Sequence, residues 1–342
     1  MRDDDRMMDL PDEFGSGIVG VCDICGTRQA VIVLQKERYK LCVIDFLNKT
    51  WLKSDKKPGA PAPLYRSDRI WFDSRSTPGG KAPGIVLTPT KIIRHPVVLI
   101  TPDVYGITTT LLDASIRFAR DGYEVLIPDV GKTNGIGPTH HLALRTSAMR
   151  GGVSSRSKKV LALVNLYSDA LGYLRSREMV DSAKSALFGA SYGGSLALAL
   201  AAQDSRLAAV ALAYPQPVAP PDLARLVTAP IFFVGGSANS GAEKARHQLE
   251  AVRGPNGPTV EAVSIAGARH GFLARDLPAY NLVQAEAAWT RLQSFLKAIL
   301  APPPPRPPPP PVKPSDPLAG AGPAVRPPTA PAPPAATAAA PH

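Results

Sequence analysis

The chain has 342 residues, with 39 lysines and arginines against 28 aspartates and glutamates, a formal net charge of +11. No apolar run approaches the ~20 residues that span a bilayer, and residues 1–14 lack the apolar stretch of a secretory leader, so a cytoplasmic chain is expected. All three cysteines fall between Cys22 and Cys42, which excludes a disulfide framework.

Residues 1–19 read as a flexible lead. A small module follows at 20–57: Cys22 and Cys25, an extended stretch at 29–34, a polar turn at 35–38, a second extended stretch ending in Cys42, and a helical run from Asp45 to Lys53. A knuckle, a hairpin and a helix with two candidate ligands at its start resemble a treble-clef zinc finger. The resemblance implies Cys22, Cys25, Cys42 and Asp45 as ligands of a structural Zn²⁺, since thiolates and carboxylates both complete closed tetrahedral sites. Asp45 stands where that pattern expects Cys or His. The alternative is a metal-free module in which the cysteines are simply buried and Asp45 caps the helix. A segment this short has little core of its own and needs a metal or a neighbour to pack on.

Residues 58–69, opening with the Pro-Ala run at 58–63, read as a linker. From 70 to 300 short apolar runs alternate with amphipathic stretches. Strands are predicted at 85–87, 96–100, 124–127, 185–188, 209–213, 231–234 and 260–265. Helices are predicted at 111–120, around 160–174, and at 196–202, 242–252 and 282–299, on apolar residues spaced three and four apart. Continuous apolar strands alternating with helices predict an α/β fold with a mostly parallel sheet, covered by helices on both faces.

One turn in this pattern carries chemistry. Gly189-Ala190-Ser191-Tyr192-Gly193 follows a strand and opens an apolar helix, the context that a G-x-S-x-G nucleophile elbow requires. Glycines fit on either side because the turn is too tight for side chains. Such a turn lifts the Ser191 hydroxyl above the sheet and aims the Tyr192 N–H at a developing oxyanion. The bland alternative is a glycine-rich turn in which Ser191 only caps a helix. His270 lies in the loop after the last predicted strand, and the order Ser then His suits a base reaching over such a sheet. His140 and His141 precede the elbow, the wrong order.

Over about 70–300 the chain resembles the dienelactone hydrolase family of the α/β-hydrolase superfamily. The likeness lies in Pro102-Asp103-Val104-Tyr105-Gly106, in Asp121-Gly122-Tyr123 with Ile127-Pro128-Asp129, in the 189–194 elbow, and in His270-Gly271-Phe272. Ser191 stands where that family usually has Cys. The resemblance implies an ester or lactone hydrolase working through an acyl-enzyme, with Ser191 as nucleophile and His270 as base. It further implies Val104 and Tyr192 N–H groups as the oxyanion hole, and Asp103 beside the nucleophile. No catalytic cofactor is implied.

Two departures stand out. The family's triad acid follows a Gly-Gly-x pattern; here the loop reads Gly235-Gly236-Ser237-Ala238-Asn239, with Ala238 in the matching place and Asn239 one step on. Asn239 is the candidate third member, with Glu243 and Asp222 as nearby substitutes. The family's substrate-carboxylate Arg, four past the His, is replaced by Ala274, with Arg275 adjacent. Between Asp129 and Asp169 there is no acidic residue, and a basic, Gly-rich stretch including Arg145 occupies the place of a lid. Arg145 and Arg275 are therefore candidates for holding an anionic ester, against the alternative of a plain solvated loop.

The last segment, 301–342, is almost all Pro and Ala and is expected to be an extended, disordered tail. A protein partner is conceivable through that tail or the N-terminal module. Nucleic acid is disfavoured, because no base-reading helix or aromatic-basic pattern is present. The reading that competes with the hydrolase is a weak or inactive member of the fold kept for binding or as a scaffold.

Overall fold

The computed structural model describes residues 64–301 apart from 78, 92, 103–105, 131–152, 256 and 276, together with the backbone of four short strands nearer the N-terminus. Those strands are β1 (Gly20–Val21), β2 (Gln29–Ala30), β3 (Ile32–Leu34) and β4 (Tyr39–Leu41). β1 pairs antiparallel with β2, and β3 with β4, Ile32 lying opposite Leu41, so the two stretches expected to be extended form a hairpin. The expected zinc ligands Cys22, Cys25, Cys42 and Asp45, and the tail from 302 onward, lie outside the described residues. Among the described residues no group of three His, Cys, Asp or Glu could hold a metal ion, and no helix is long and apolar enough to cross a membrane.

The sheet opens earlier than the apolar pattern suggested. β5 (Tyr65–Asp73) runs antiparallel to β6 (Lys81–Pro89), so 65–69, read as linker, is already strand. Its outward Arg66, Asp68 and Arg69 hid it. An edge strand pairs on one side only, and such charges keep the free edge from recruiting another chain.

After β6 come β7 (His95–Thr101), helix α1 (Thr109–Arg120), β8 (Glu124–Pro128), a two-residue strand β9 (Val153–Ser154) and α2 (Lys158–Arg175). Then follow β10 (Val180–Ala190), α3 (Tyr192–Ala201), β11 (Ala209–Ala213), the short β12 (Val218–Ala219), β13 (Ile231–Gly236), α4 (Ser240–Ala251), β14 (Val260–Ile265) and α5 (Leu282–Leu300). The eight-stranded sheet has the order β14-β13-β11-β10-β7-β8-β6-β5. Its six strands from β14 to β8 are parallel, and β6 alone runs in the opposite direction.

The mostly parallel sheet follows from composition. Val97 to Ile100, Val125 to Ile127, Ala186 to Phe188, Ala209 to Ala213 and Ile231 to Val234 expose almost nothing, as strands covered on both faces must. On one face Phe118 of α1 meets Phe188 of β10 and Trp289 of α5 edge-on, at 5.3 and 6.0 Å. Arg117 stacks over the same Trp289 and pairs with Glu286, tying α1 to α5. α2, α3 and α4 occupy the other face. Two ion pairs, the buried Arg175–Asp204 and the partly buried Arg177–Glu124, tie the end of α2 to the turn after α3 and to β8; losing one partner of a buried pair costs about 3–5 kcal/mol.

Two elements begin before their apolar signal. β10 starts at Val180 rather than 185 because its first residues are polar and its register against β7 shifts there. α3 starts at Tyr192 rather than 196 because Tyr-Gly-Gly-Ser carries no helical periodicity. The parallel strands end together, with Gly189 beside Thr101, Ala190 beside Ala213, and Gly236 beside Ile265. The loops leaving that rim build the site.

Candidate active site

The elbow is dictated by contact distances. A Cβ on Gly189 would lie 2.4 Å from Thr101 Oγ1 and 2.5 Å from the Gly193 carbonyl oxygen, and one on Gly193 would lie 2.2 Å from the Thr101 carbonyl oxygen. Only glycine lets the strand end, the helix start and β7 come this close. Thr101 then latches the turn: its hydroxyl, which has a single proton, lies 2.8 Å from the Gly193 carbonyl and 3.2 Å from that of Phe188. Tyr167 donates to the Pro102 carbonyl at 3.1 Å, and Ser195 to that of Gln216 at 2.8 Å.

Ser191 pays the conformational cost, with φ 54° and ψ −127°. Left-handed backbone at a non-glycine residue costs on the order of 1–3 kcal/mol and persists only where surroundings enforce it. Here its N–H donates to the Ala213 carbonyl at 2.9 Å, and its carbonyl accepts from Gly194 at 3.1 Å. The hydroxyl makes no capping bond to α3. It lies instead 3.1 Å from Nε2 of His270, which removes the plain helix-cap reading.

His270 arrives on the loop after β14, and that loop is packed against the one after β13. A Cβ on Gly236 would sit 2.1 Å from the Ala268 carbonyl oxygen. Ala238 donates to that carbonyl at 3.1 Å, Ser237 to Ile265 at 3.0 Å, and Gly267 to the Ser237 hydroxyl at 2.9 Å. One side of the imidazole stays open to solvent, but protein crowds the rest, and this desolvation pushes its pKa below the ordinary histidine value. Tyr214 supports the ring edge-on at 5.1 Å and is itself backed by Phe272. Tyr214 escaped the sequence reading; its φ of 37° places it on a sharp turn just after β11.

The partner of His270 Nδ1 is Asn239, whose Nδ2 lies 3.0 Å away. Asn239 is only 8 % exposed and caps α4, its Oδ1 accepting from the Ala242 N–H at 3.3 Å. Among the described residues no carboxylate oxygen pairs with His270. Glu243, a possible substitute by sequence, bonds to Arg246 at 2.9 Å and Ser264 at 2.8 Å. Against the opposing effect of burial, these bonds hold its carboxyl below the usual range. Asp222 is exposed, ahead of the single turn Leu223–Leu226.

Tyr192 begins α3, so its N–H, like others in a first turn, has no acceptor within the helix and adds to the positive end of the dipole. Its phenol is pushed up to about 12 by burial, so the side chain stays neutral. Val104 and Asp103, expected opposite it, lie outside the described residues, as does Arg145. Arg275 is held by Asp113 of α1 at 3.1 Å. Thr101 was missed by the sequence reading, although a lone hydroxyl ending an apolar strand beside the elbow was its signal.

Comparison with known proteins matches residues 82–300 to the family described as the dienelactone hydrolase family. A Yersinia pestis protein provisionally named a carboxymethylenebutenolidase is 26% identical over 212 residues, covering 58% of this chain and 76% of that protein. Among solved structures, a dienelactone hydrolase-like promiscuous phosphotriesterase from metagenomic libraries superposes with a TM-score of 0.57 at 15% identity, covering 69% of this chain and 99% of its own. A hyperthermophilic esterase from Pyrobaculum calidifontis gives 0.51 at 18% identity, covering 70% and 88%. At these identities the structures speak for the fold alone, which is that of the α/β-hydrolases.

Proposed function

The chain belongs to the dienelactone hydrolase family, and from that premise we propose that it hydrolyses small carboxylic esters or lactones through an acyl-enzyme on Ser191. The observation that carries this reading is the 3.1 Å approach of the Ser191 hydroxyl to His270 Nε2 across 79 positions of sequence. That distance is within reach for direct proton transfer.

In the first half-reaction Ser191 Oγ bonds to the carbonyl carbon as its proton passes to Nε2. The oxyanion so formed is stabilised by the Tyr192 N–H, with Val104 as the second donor this reading assigns. Collapse breaks the bond to the leaving oxygen, which takes the proton from Nε2. Water then repeats the sequence: its proton goes to Nε2, its oxygen to the acyl carbon, and Ser191 departs with the proton restored. A serine hydroxyl has no accessible anion near neutral pH, so this chemistry depends on the base more than a cysteine would.

A fluorophosphonate probe tests the proposal. It labels the wild type and fails on Ser191→Ala; equal labelling of both, or none on the wild type, contradicts it. A second reading, a hydrolase fold kept for binding, is favoured by one observation: His270 meets an amide and no carboxylate. It predicts no acylation across a broad ester panel.

A further inference from the structure

Asn239 stands where a carboxylate would complete the site, and the α4 cap sets the resting orientation of its amide. An amide has one accepting end and one donating end. The accepting end is committed, because Oδ1 takes the Ala242 N–H at 3.3 Å and so caps α4. The donating end therefore faces the imidazole, with Nδ2 at 3.0 Å from Nδ1.

A hydrogen bond from Nδ2 forms only if Nδ1 carries a lone pair. A neutral imidazole has one ring proton, which must then sit on Nε2. In that tautomer Nε2–H donates to Ser191 Oγ across the 3.1 Å contact and has no lone pair to receive the serine proton. The imidazolium is also disfavoured, since its Nδ1–H would confront an N–H of Asn239. The tight packing of Gly236 on Ala268 gives neither loop room to back away.

We propose that Asn239 is a positioning residue that holds His270 in the Nε2–H tautomer, so that the Ser191–His270 pair rests in a non-basic form. The basic form arises when the amide rotates, turning Oδ1 to an Nδ1–H and giving up the α4 cap. This rests on the reading of Ser191 and His270 as nucleophile and base. In a chymotrypsin-type protease, exchanging the triad aspartate for asparagine produces the wrong tautomer and lowers turnover ~10⁴-fold. The α4 cap supplies the same polarity here.

The test is ¹⁵N NMR of the full chain labelled at histidine, with His270 assigned by its loss in His270→Gln. The wild type is expected to show Nδ1 unprotonated and Nε2 protonated. In Asn239→Asp the carboxylate can accept from Ala242 and from Nδ1–H together, and Asp caps helices as well as Asn does. The ring proton then moves to Nδ1, and kcat/KM for a p-nitrophenyl ester rises ~10³–10⁴-fold, mostly in kcat. A wild-type Nδ1–H overturns the proposal, and so does a tautomer swap that brings no gain in rate while Ser191 still takes the fluorophosphonate label. Fluorophosphonate labelling of Asn239→Asp separates the two ideas: a swapped tautomer without label on Ser191 sinks the hydrolase reading and leaves the tautomer assignment intact.

Discussion

The elbow between β10 and α3 and the paired loops after β13 and β14 are held by the same device, a glycine pressed against a neighbouring carbonyl. At the elbow Thr101 closes the turn, the Gly194 N–H bonds back to the Ser191 carbonyl, and the Tyr192 N–H has no acceptor within α3. In the loop pair the backbone is equally fixed, yet the side chain delivered to His270 presents hydrogens where a carboxylate would present oxygens. Backbone placement and chemical polarity are therefore separable properties of a site: here the loop is firmly placed and the group it delivers to the imidazole is an amide.

The largest effect expected from that difference is on rate. Asn239→Asp should raise kcat/KM by ~10³–10⁴-fold with little change in urea-unfolding free energy, because the cap is kept. If stability moves as much as rate, Asn239 acts through the fold instead. Next come the two glycines. Gly189→Ala and Gly236→Ala should each cost about 3 kcal/mol in the same unfolding assay, since each Cβ lands within 2.5 Å of packed atoms. A much smaller loss at Gly236 would show the loop pair to be the looser region.

Ser191→Ala should lower kcat/KM by only ~10²-fold, about 2.7 kcal/mol. In a subtilisin-type triad, loss of Ser or His costs ~10⁶ and loss of Asp ~10⁴; a pair already lacking its acid has the remainder to lose. Thr101→Val strips the latch and leaves the buried Gly193 carbonyl without its donor, at about 1–2 kcal/mol. The smallest effect is in the pH profile. Burial lowers the His270 pKa, and the neutral ring is the useful form, so activity should hold as pH falls and decline only below the ordinary value of ~6.5. Asn239→Asp should move that decline upward, because a carboxylate favours the charged ring.

How much of this could be read from residues alone follows the same division. The elbow was legible because steric demand at Gly189 and Gly193 leaves a spelling, and His270 because chain order restricts where a base can come from. The parallel core strands were legible from unbroken apolar runs. β5 was not, since charges that protect an edge strand look like linker, and Tyr214 was not, since a ring-on-ring contact has no spacing rule. Asn239 could be placed by its Gly-Gly loop, but which end of its amide faces the imidazole depends on a helix cap formed three residues later. No sequence pattern encodes that orientation.

The most direct check on the nucleophile is intact-mass and peptide-mass measurement after rapid acid quench of the chain mixed with a short p-nitrophenyl ester. A gain of one acyl group, mapped to the peptide bearing Ser191 and lost in Ser191→Ala, is the expected result. An unmodified Ser191 peptide while ester is consumed would mean that the hydroxyl at this elbow is not what attacks.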